Sequence, residues 1–340
     1  MFVYRERVCL VQLSIDERLV LIDPLELSRG AEALAPLKQV LEDPARPLVL
    51  HGGEYDVAVF KREFDIDLRG IFDTQQAASF LGWERTGLGS LVEEICGVTL
   101  SKKFAKHDWG QRPIPEPALA YALDDVRYLG RLHEHLAAAV READIEEEVG
   151  IANEAVEAAA AHANHFDPAG FWKIKGARDL DATGKLVLQE LYAWREQIAE
   201  KLDRPPGRLL NNQAMLLLAR RPPRDEAQLR KTRLPPAIKR KFPRSLLAAV
   251  GRAGNSELLP QPPQRVLPPK AIEKREKRLK DWRRLEAERR GVPLSVVLPS
   301  RALSWLAANP EADWSDAPQL GAKRLALYES KLADLIKPAS

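Results

Sequence analysis

Residues 47–56 read PLVLHGGEYD, a short apolar run that passes through two glycines into a polar segment. The apolar run predicts a buried strand, and the residues from Asp56 to Phe64 predict a helix. A strand that leads directly into a helix, repeated along a chain, is typical of an α/β fold. Asp56 follows the strand end, where open α/β sheets bind ligands. The alternative is that Asp56 serves the helix N-terminus as a cap or by complementing its dipole.

Further elements support the α/β interpretation on both sides of this stretch. The apolar runs 8–13 and 19–22 predict a β-hairpin or two adjacent strands. Residues 30–41 have helical periodicity and end before Asp43-Pro44. Asp73-Thr74 begins another apolar helix, and we interpret Asp73 as a plain helix cap.

Residues 116–129 predict a helix that places a phenol beside a carboxylate. Tyr121 and Asp125 are four residues apart, so they lie on one face of this helix, one turn apart. Asp124 points away from that face. The alternative is an amphipathic helix with a solvated Asp125 and a half-buried Tyr121.

Residues 102–113, KKFAKHDWGQRP, form a basic and aromatic segment without periodicity in an otherwise acidic region. Such a loop suits a phosphodiester strand, with cations on phosphates and Phe104 or Trp109 against a base. The alternative is a surface loop in which Trp109 is a packing anchor. His107 has no partner at metal-ligand spacing, so we interpret it as an ordinary loop histidine.

Composition sets broad limits. The 340 residues are enough for two or three domains. No apolar run approaches the roughly 18 residues of a membrane span, and the start lacks a signal-peptide pattern, so we expect a soluble, intracellular protein. Cys9 and Cys96 are single, which suits a reducing compartment and excludes a cysteine-based zinc cluster.

Charge divides the chain into two halves. Residues 1–170 carry 17 Lys and Arg against 30 Asp and Glu, whereas residues 171–340 carry 35 against 19. Within the basic half, residues 231–290 carry 18 cations against 6 acids, with one peak at Lys239-Arg240-Lys241. This density indicates binding to a phosphate backbone, and a solvated helix face is the alternative.

The basic half contains an internal repeat with an offset of 88 residues. Trp194 and Trp282, and likewise Leu210 and Leu298, are related by this offset, which predicts two copies of one helical module. The proline-rich residues 259–269 join the copies. Between the acidic region and the first copy, residues 130–163 predict a helical connector whose residues 146–148 form a solvated face.

Together these motifs resemble a known family. Residues 51–56 resemble the second motif of the DEDD 3′–5′ exonucleases, and Tyr121-x-x-x-Asp125 resembles the third motif of their tyrosine-containing branch. Lys103 and residues 108–113 resemble the stretch before the third motif in the ribonuclease D family. The two repeats resemble HRDC domains, in which Trp194-Arg195 and residues 203–206 are typical.

The resemblance implies an α/β ribonuclease H-like (DnaQ-like) exonuclease domain at 1–165, followed by all-α HRDC-type domains at 175–258 and 268–340. It implies two divalent ions, Mg²⁺ or Mn²⁺, with Asp56 and Asp125 as metal ligands and catalytic residues. Tyr121 orients the attacking water or deprotonates it as a general base. The implied nucleic-acid-binding residues are Lys103, Lys106, Trp109, Arg112, Trp194, Arg195, Lys239, Arg240 and Lys241.

The family's first motif, Asp-x-Glu on the opening strand, is absent from the printed sequence. Residues 8–13 resemble the family's second strand, so this motif is expected upstream of Met1. Either translation starts further upstream, or the first strand is lost. We expect the chain as printed to bind metal weakly, to lose most activity and to lack a central strand.

The function implied is a cytoplasmic, monomeric 3′–5′ exoribonuclease that trims tRNA precursors and other structured RNA. It is expected not to associate with membranes. A non-catalytic RNA-binding protein is one alternative, and a DNA-directed 3′–5′ exonuclease is another, because HRDC domains also accompany DNA enzymes.

Overall fold

A computed structural model describes residues 2–16, 18–27, 32, 34–161, 166–253, 262 and 268–336. The strands are β1 (Val11–Ile15), β2 (Arg18–Ile22), β3 (Leu48–Leu50) and β4 (Ile71–Asp73). The helices of the α/β domain are α1 (Ala35–Leu41), α2 (Glu54–Phe64), α3 (Thr74–Phe80), α4 (Leu88–Cys96), α5 (Glu116–Arg127), α6 (Leu129–Glu142) and α7 (Glu146–Glu157).

The remaining helices form the two helical modules. The first module contains α8 (Ala182–Lys201), α9 (Pro206–Leu209), α10 (Asn212–Arg220), α11 (Glu226–Lys231), α12 (Pro236–Lys241) and α13 (Pro243–Arg252). The second contains α14 (Lys270–Arg290), α15 (Leu294–Val297), α16 (Ser300–Ala308) and α17 (Ala322–Ile336). None of the helices in the described ranges has the length and apolar character that crossing a membrane requires.

The strands form two separate pairs within the described part of the chain. β1 and β2 are antiparallel, with Val11 opposite Ile22, which confirms the predicted hairpin. β3 and β4 are parallel, with Leu50 opposite Asp73. Each of these parallel strands is followed directly by a helix, as the α/β interpretation predicts.

The turn between β3 and α2 is fixed by glycines and by one buried carboxylate. Gly52 has a φ of +64°, and a Cβ there would meet Gln75 Oε1 at 2.9 Å. The fully buried Asp73 accepts the backbone N–H groups of Gly52 at 3.0 Å and Gly53 at 2.8 Å. Asp73 also accepts the N–H of Gln75 at 2.8 Å, which confirms it as the cap of α3. Asp73, at the end of β4, therefore also fixes the turn that follows β3.

Helices α6 and α7 form part of the domain core, so the prediction of a connector is wrong for them. Leu132, Leu136 and Val149 are buried in one cluster with residues of α3 and α4. The predicted solvated face at residues 146–148 is wrong for Glu148, which is 1% exposed, whereas Glu146 is exposed as predicted. A periodicity that predicts a helix cannot by itself show what the helix packs against. Residues 162 and 163 of the predicted connector lie outside the described residues.

The second helical module and the α/β domain belong to one compact unit. Val296 of α15 lies in the same buried cluster as the core of α3 and α6. The backbone N–H of Lys323 donates to Glu147 Oε1 at 3.0 Å. The module also has its own core, which includes Leu279 and Leu306. This module thus packs directly against the domain that carries the candidate catalytic residues.

The first helical module forms a second compact unit together with the start of the chain. Its core includes Leu188, Trp194 and Met215. The Tyr4 hydroxyl donates to Glu196 at 2.7 Å, so the start of the chain packs on α8. Of the predicted proline-rich connector at 259–269, only residues 262, 268 and 269 are described.

Candidate active site

Asp56 lies in the first turn of α2 and is free of partners within the described chain. The N-cap position is Gly53, and no side chain caps this helix. Burial raises the pKa of Asp56 to about 6, and the negative charges of Asp73 and Asp125 add to this shift. An unpaired carboxylate close to two others costs free energy unless a proton or a cation neutralises it.

Asp125 on α5 is the second unpaired carboxylate. Its neighbour Asp124 forms an ion pair with Arg127 at 2.9 Å, whereas Asp125 has no such partner in the described ranges. Burial, followed by the charge of Asp124, raises the pKa of Asp125. The side chains of Asp56 and Asp125 nevertheless retain access to solvent. Both residues are exposed, so they lie at the surface of the domain and not in a closed core.

Tyr121 lies one turn before Asp125, as the sequence predicts. Burial and the charge of Asp125 raise the pKa of the Tyr121 phenol. The phenol therefore stays protonated at neutral pH in the metal-free protein and can donate a hydrogen bond. Orienting water is consistent with this state, whereas acting as a base requires a positive charge nearby to lower the pKa.

The carboxylates of Asp56 and Asp125 have the chemistry of a hard-cation site, because oxygen ligands with unneutralised charge suit Mg²⁺ or Mn²⁺. Across the described residues, no group of three or more His, Cys, Asp and Glu side chains is arranged to hold a metal ion. The residues present thus supply part of a ligand set.

Aromatic side chains of the loop 102–113 pack around Tyr121. The Trp109 ring stacks on the Tyr121 ring at 6.1 Å between centroids, and the Phe104 ring lies 5.9 Å from Tyr121. His107 contacts Trp109 edge-on at 5.0 Å, and its Nε2 is buried without a hydrogen-bond partner. The packing-anchor alternative therefore describes Trp109 better than base stacking. Sequence reasoning missed His107, and the signal was its place between Phe104 and Trp109.

Arg112 holds this loop to the β-hairpin, and its predicted RNA contact stays a prediction. Its Nε and one terminal nitrogen bind the Asp23 carboxylate at 2.6 and 2.7 Å. The other donors bind the carbonyls of Cys9, Trp109 and Gln111. The hydrogen bonds from Arg112 lower the pKa of Asp23. Every guanidinium nitrogen is thus engaged inside the protein.

Five further cationic side chains were predicted to contact RNA, and four of them are exposed. Lys103 and Lys106 are exposed on the loop, and Arg240 and Lys241 are exposed at the end of α12. These four remain predictions. Lys239 is different, because its ammonium donates to the carbonyls of Arg230 and Thr232 at 3.0 Å each. It closes the end of α11, and its predicted RNA contact also stays a prediction.

Trp194 and Arg195 are packing residues, and their predicted RNA contacts are corrected. Trp194 is 2% exposed and donates its indole N–H to Ser245 at 3.2 Å. Arg195 is 7% exposed and donates to the Leu210 carbonyl at 3.1 Å and to Asn212 at 2.8 Å. Their repeated positions reflect a repeated core and not a repeated binding surface.

Two family models match the chain. A 3′–5′ exonuclease model matches residues 1–141, and an HRDC domain model matches residues 185–250 and 272–333. Exonucleases of the first family generally use divalent metal ions. These matches confirm the predicted order of a ribonuclease H-like exonuclease domain followed by HRDC domains.

Similar proteins span nearly the whole chain. A ribonuclease D of Xanthomonas oryzae pv. oryzae is 32% identical over 98% of this chain and 90% of its own length. A ribonuclease D of Pseudomonas paraeruginosa is 32% identical over 87% of this chain and 78% of its own length. The crystal structure of Escherichia coli RNase D, an exoribonuclease involved in structured RNA processing, matches with a TM-score of 0.68 and 26% identity, covering 99% and 90% of the two chains. The chain therefore belongs to the ribonuclease D family and is a 3′–5′ exoribonuclease that acts on RNA.

Proposed function

We propose that this protein trims the 3′ ends of tRNA precursors and other structured RNA in the cytoplasm and releases nucleoside 5′-monophosphates. The structured-RNA substrate is supported by the likeness to E. coli RNase D, which is described as acting in structured RNA processing. Cys9 and Cys96 are not joined in a disulfide, which is consistent with a reducing compartment. The proposed domain boundaries remain 1–165, 175–258 and 268–340.

Two carboxylates that have no hydrogen bond or ion pair with any described residue, Asp56 and Asp125, are the observation that carries the proposed site. Burial, then the charges of Asp73 and Asp125, raise the pKa of Asp56 to about 6, which is consistent with a shared site. Asp56 and Asp125 would hold Mg²⁺ or Mn²⁺, and the bound ion would lower the pKa of water and stabilise charge at phosphorus. Because two carboxylates are an incomplete ligand set, we expect weak metal affinity.

Tyr121 is proposed to orient the attacking water. Its protonated phenol donates a hydrogen bond, and its position one turn from Asp125 places that donor beside the carboxylate. The stacked Trp109 ring restricts the orientation of the Tyr121 ring. Arg112 restrains the loop that carries Trp109 by its bidentate contact with Asp23. The loop is thus proposed to fix the direction of the phenol.

Exposed cations are proposed to bind the RNA backbone. Lys103 and Lys106 lie on the loop that packs against Tyr121 and suit phosphates near the scissile bond. Arg240 and Lys241 supply positive charge on the first helical module. Phosphate contacts of this kind bind RNA without reading its sequence.

The test is release of 5′-monophosphates from RNA labelled at its 3′ end, with Mg²⁺ or Mn²⁺ titrated and EDTA as the control. We expect processive or stepwise release from the 3′ end that requires metal. A matched DNA strand is included, and equal rates on DNA would contradict the RNA specificity. Salt-dependent RNA binding without product at any metal concentration would favour the non-catalytic alternative instead.

A further inference from the structure

The first turn of α2 is held from a neighbouring strand by the carboxylate of Asp73. This residue is fully buried at the end of β4 and accepts the backbone N–H groups of Gly52 at 3.0 Å and Gly53 at 2.8 Å. The carbonyl of Gly53 in turn accepts the N–H of Val57 at 2.9 Å. Val57 directly follows Asp56, so a short path of hydrogen bonds connects the Asp73 carboxylate to the backbone beside Asp56.

Thr74, the residue after Asp73, holds the preceding part of the same turn. Its hydroxyl donates to the Leu50 carbonyl at 2.9 Å and lies 3.0 Å from His51 Nδ1. Because the single hydrogen of this hydroxyl is used, the imidazole N–H donates in the second contact. Thr74 is also fully buried. Two consecutive residues therefore contact every residue of the turn from 50 to 53.

The position of Asp73 is itself fixed by α7. The side chain of Asn153, which is 7% exposed, accepts the backbone N–H of Asp73 at 3.1 Å. On the other side of the turn, a Cβ at Gly53 would meet Leu50 Cδ1 at 2.5 Å, so the backbone passes directly against that side chain. The turn therefore cannot shift without breaking a buried contact.

The carboxylate of Asp56 has no partner of its own to fix it. It is exposed and forms no hydrogen bond or ion pair with any described residue, and no side chain caps α2. Its position therefore depends on the backbone that Asp73 and Thr74 hold. Metal sites require ligands that are placed within about 0.5 Å, so the rigidity of this turn bears directly on metal binding.

Asp73 also adds negative charge near Asp56. After burial, the charge of Asp73 is the next cause of the raised pKa of Asp56, which is about 6. A negative charge that disfavours ionisation of a carboxyl group favours a cation bound there. Because Asp73 is fully buried and bound by backbone N–H groups, it would act on the cation without being its ligand.

We infer that Asp73, together with Thr74, is a positioning residue for the metal ligand Asp56. This inference rests on the proposed role of Asp56 in binding Mg²⁺ or Mn²⁺ and extends it to residues that the ion does not touch. Capping α3 is then only one of two functions of Asp73. Residues that orient metal ligands typically contribute roughly 10-fold to 100-fold to metal affinity.

Serine at position 73 separates the two functions. Its hydroxyl can accept the N–H of Gln75 and so cap α3, but it has no second oxygen for Gly53. Asparagine lacks the charge but keeps one carbonyl oxygen, which can still reach Gly52. We expect Asp73→Ser to weaken Mn²⁺ binding roughly 10-fold or more, and Asp73→Asn to weaken it less.

The measurement is titration of the full 340-residue chain with Mn²⁺ alone, with the free ion followed by electron paramagnetic resonance. Single-turnover RNA hydrolysis at increasing Mn²⁺ is the second readout. At saturating Mn²⁺ the rate of Asp73→Ser should come within a few-fold of the parent chain, whereas a loss of folded protein would lower the rate at every Mn²⁺ concentration. RNA affinity in EDTA should be unchanged.

Thr74 keeps the test decisive if Asp73→Ser does not fold. Thr74→Val removes the hydroxyl at nearly constant shape and should weaken Mn²⁺ binding several-fold, whereas Thr74→Ser keeps the hydroxyl and should bind like the parent chain. Asp225→Ser is the matched control, because Asp225 caps α11 by accepting the N–H of Gln228 at 2.8 Å. It should affect stability alone.

Asp56→Asn identifies the metal site and should abolish Mn²⁺ binding. If it does so, but Asp73→Ser and Thr74→Val bind Mn²⁺ as tightly as the parent chain, the positioning role is overturned and the proposed metal site stands. If the parent chain binds no Mn²⁺, or Asp56→Asn binds it equally well, the proposed metal site and the positioning role both fail.

Discussion

The candidate active site and the two helical modules differ in whether their charged side chains have partners. At the candidate site, Asp56 and Asp125 have no hydrogen bond or ion pair with any described residue, and the pKa of each is raised. In the modules, the repeated Arg195 and Arg283 donate to the carbonyls of Leu210 and Leu298. Charged side chains that stabilise a fold form hydrogen bonds within the protein, whereas titratable side chains at functional sites are often left without such partners.

The two modules also differ from each other at equivalent positions. Glu196 of the first module accepts the Tyr4 hydroxyl at 2.7 Å and so binds the start of the chain. The residue 88 positions later is Arg284, which pairs with Glu288 on its own helix at 3.0 Å. The two modules thus share buried contacts, whereas equivalent surface residues have different partners.

The largest effect on the hydrolysis rate is expected from the residues of the candidate active site. Asp125→Asn removes a proposed metal ligand, and Tyr121→Phe removes the proposed donor to water, so each should lower the rate of RNA hydrolysis by roughly 100-fold or more. RNA affinity should change little. The measurement is single-turnover hydrolysis together with RNA binding in EDTA.

Asp124→Asn is the matched control for these variants, because Asp124 is adjacent to Asp125 but already paired with Arg127. It should retain a rate within a few-fold of the parent chain. If Asp124→Asn reduced the rate as much as Asp125→Asn, the distinction between paired and unpaired carboxylates would not identify the site.

The repeated arginines are expected to affect stability and not catalysis. Arg195→Met leaves the Leu210 carbonyl and Asn212 without their donor, which should cost about 2 kcal/mol of unfolding free energy. Arg283→Met should cost less, because Arg283 is less buried than Arg195. Calorimetric unfolding of the full chain measures both. A loss of hydrolysis rate in correctly folded Arg195→Met would contradict the structural role.

Local patterns predicted the strand-to-helix units, the Tyr121–Asp125 pair and the repeat, because each depends on periodicity over a few residues. The partners of individual side chains were not predictable in this way. Arg112 binds Asp23, 89 residues away in sequence, and Lys323 binds Glu147, 176 residues away. Contacts at such separations depend on tertiary packing, which no local pattern specifies.

The 88-residue repeat also does not show whether a recurring residue is buried or exposed. Trp194 and Arg195 were predicted to bind RNA because they are typical of HRDC domains, but residues typical of a module mark its core as readily as its binding surface. Glu148 was predicted to be solvated because it belongs to a run of three glutamates. Its burial depends on the docking of the second module, which composition does not reveal.

A smaller effect is expected from the charge of Asp56 on stability. The pKa is about 6 in the folded state against an ordinary 3.8, so the folded state binds this proton more tightly. The resulting stabilisation is complete below the ordinary pKa and is lost as pH rises through the folded value. Because the side chain reaches solvent, the loss should be about 1 kcal/mol or less.

Asp56→Asn should abolish this loss, so the variant should be the more stable protein at neutral pH. The measurement is thermal unfolding in EDTA at about pH 4.5 and about pH 7.5, which bracket the titration. Asp23 is a useful contrast, since its pKa is lowered by Arg112 and its stabilisation is lost only below the ordinary value. If the pH dependence of unfolding were unchanged in Asp56→Asn, the titration of Asp56 would not be the cause of the loss of stability.

The smallest effect is expected from single surface cations of the first module. Arg240→Gln and Lys241→Gln should each make the dependence of log affinity on log salt shallower by about 0.7 for single-stranded RNA. Lys239→Gln is the control, because its ammonium already binds the carbonyls of Arg230 and Thr232 and should affect stability instead. If only Lys239→Gln changed the salt dependence, an ammonium engaged within the fold would be contacting phosphate. In that case, the hydrogen bonds that a cation makes within the protein would not indicate whether it binds RNA.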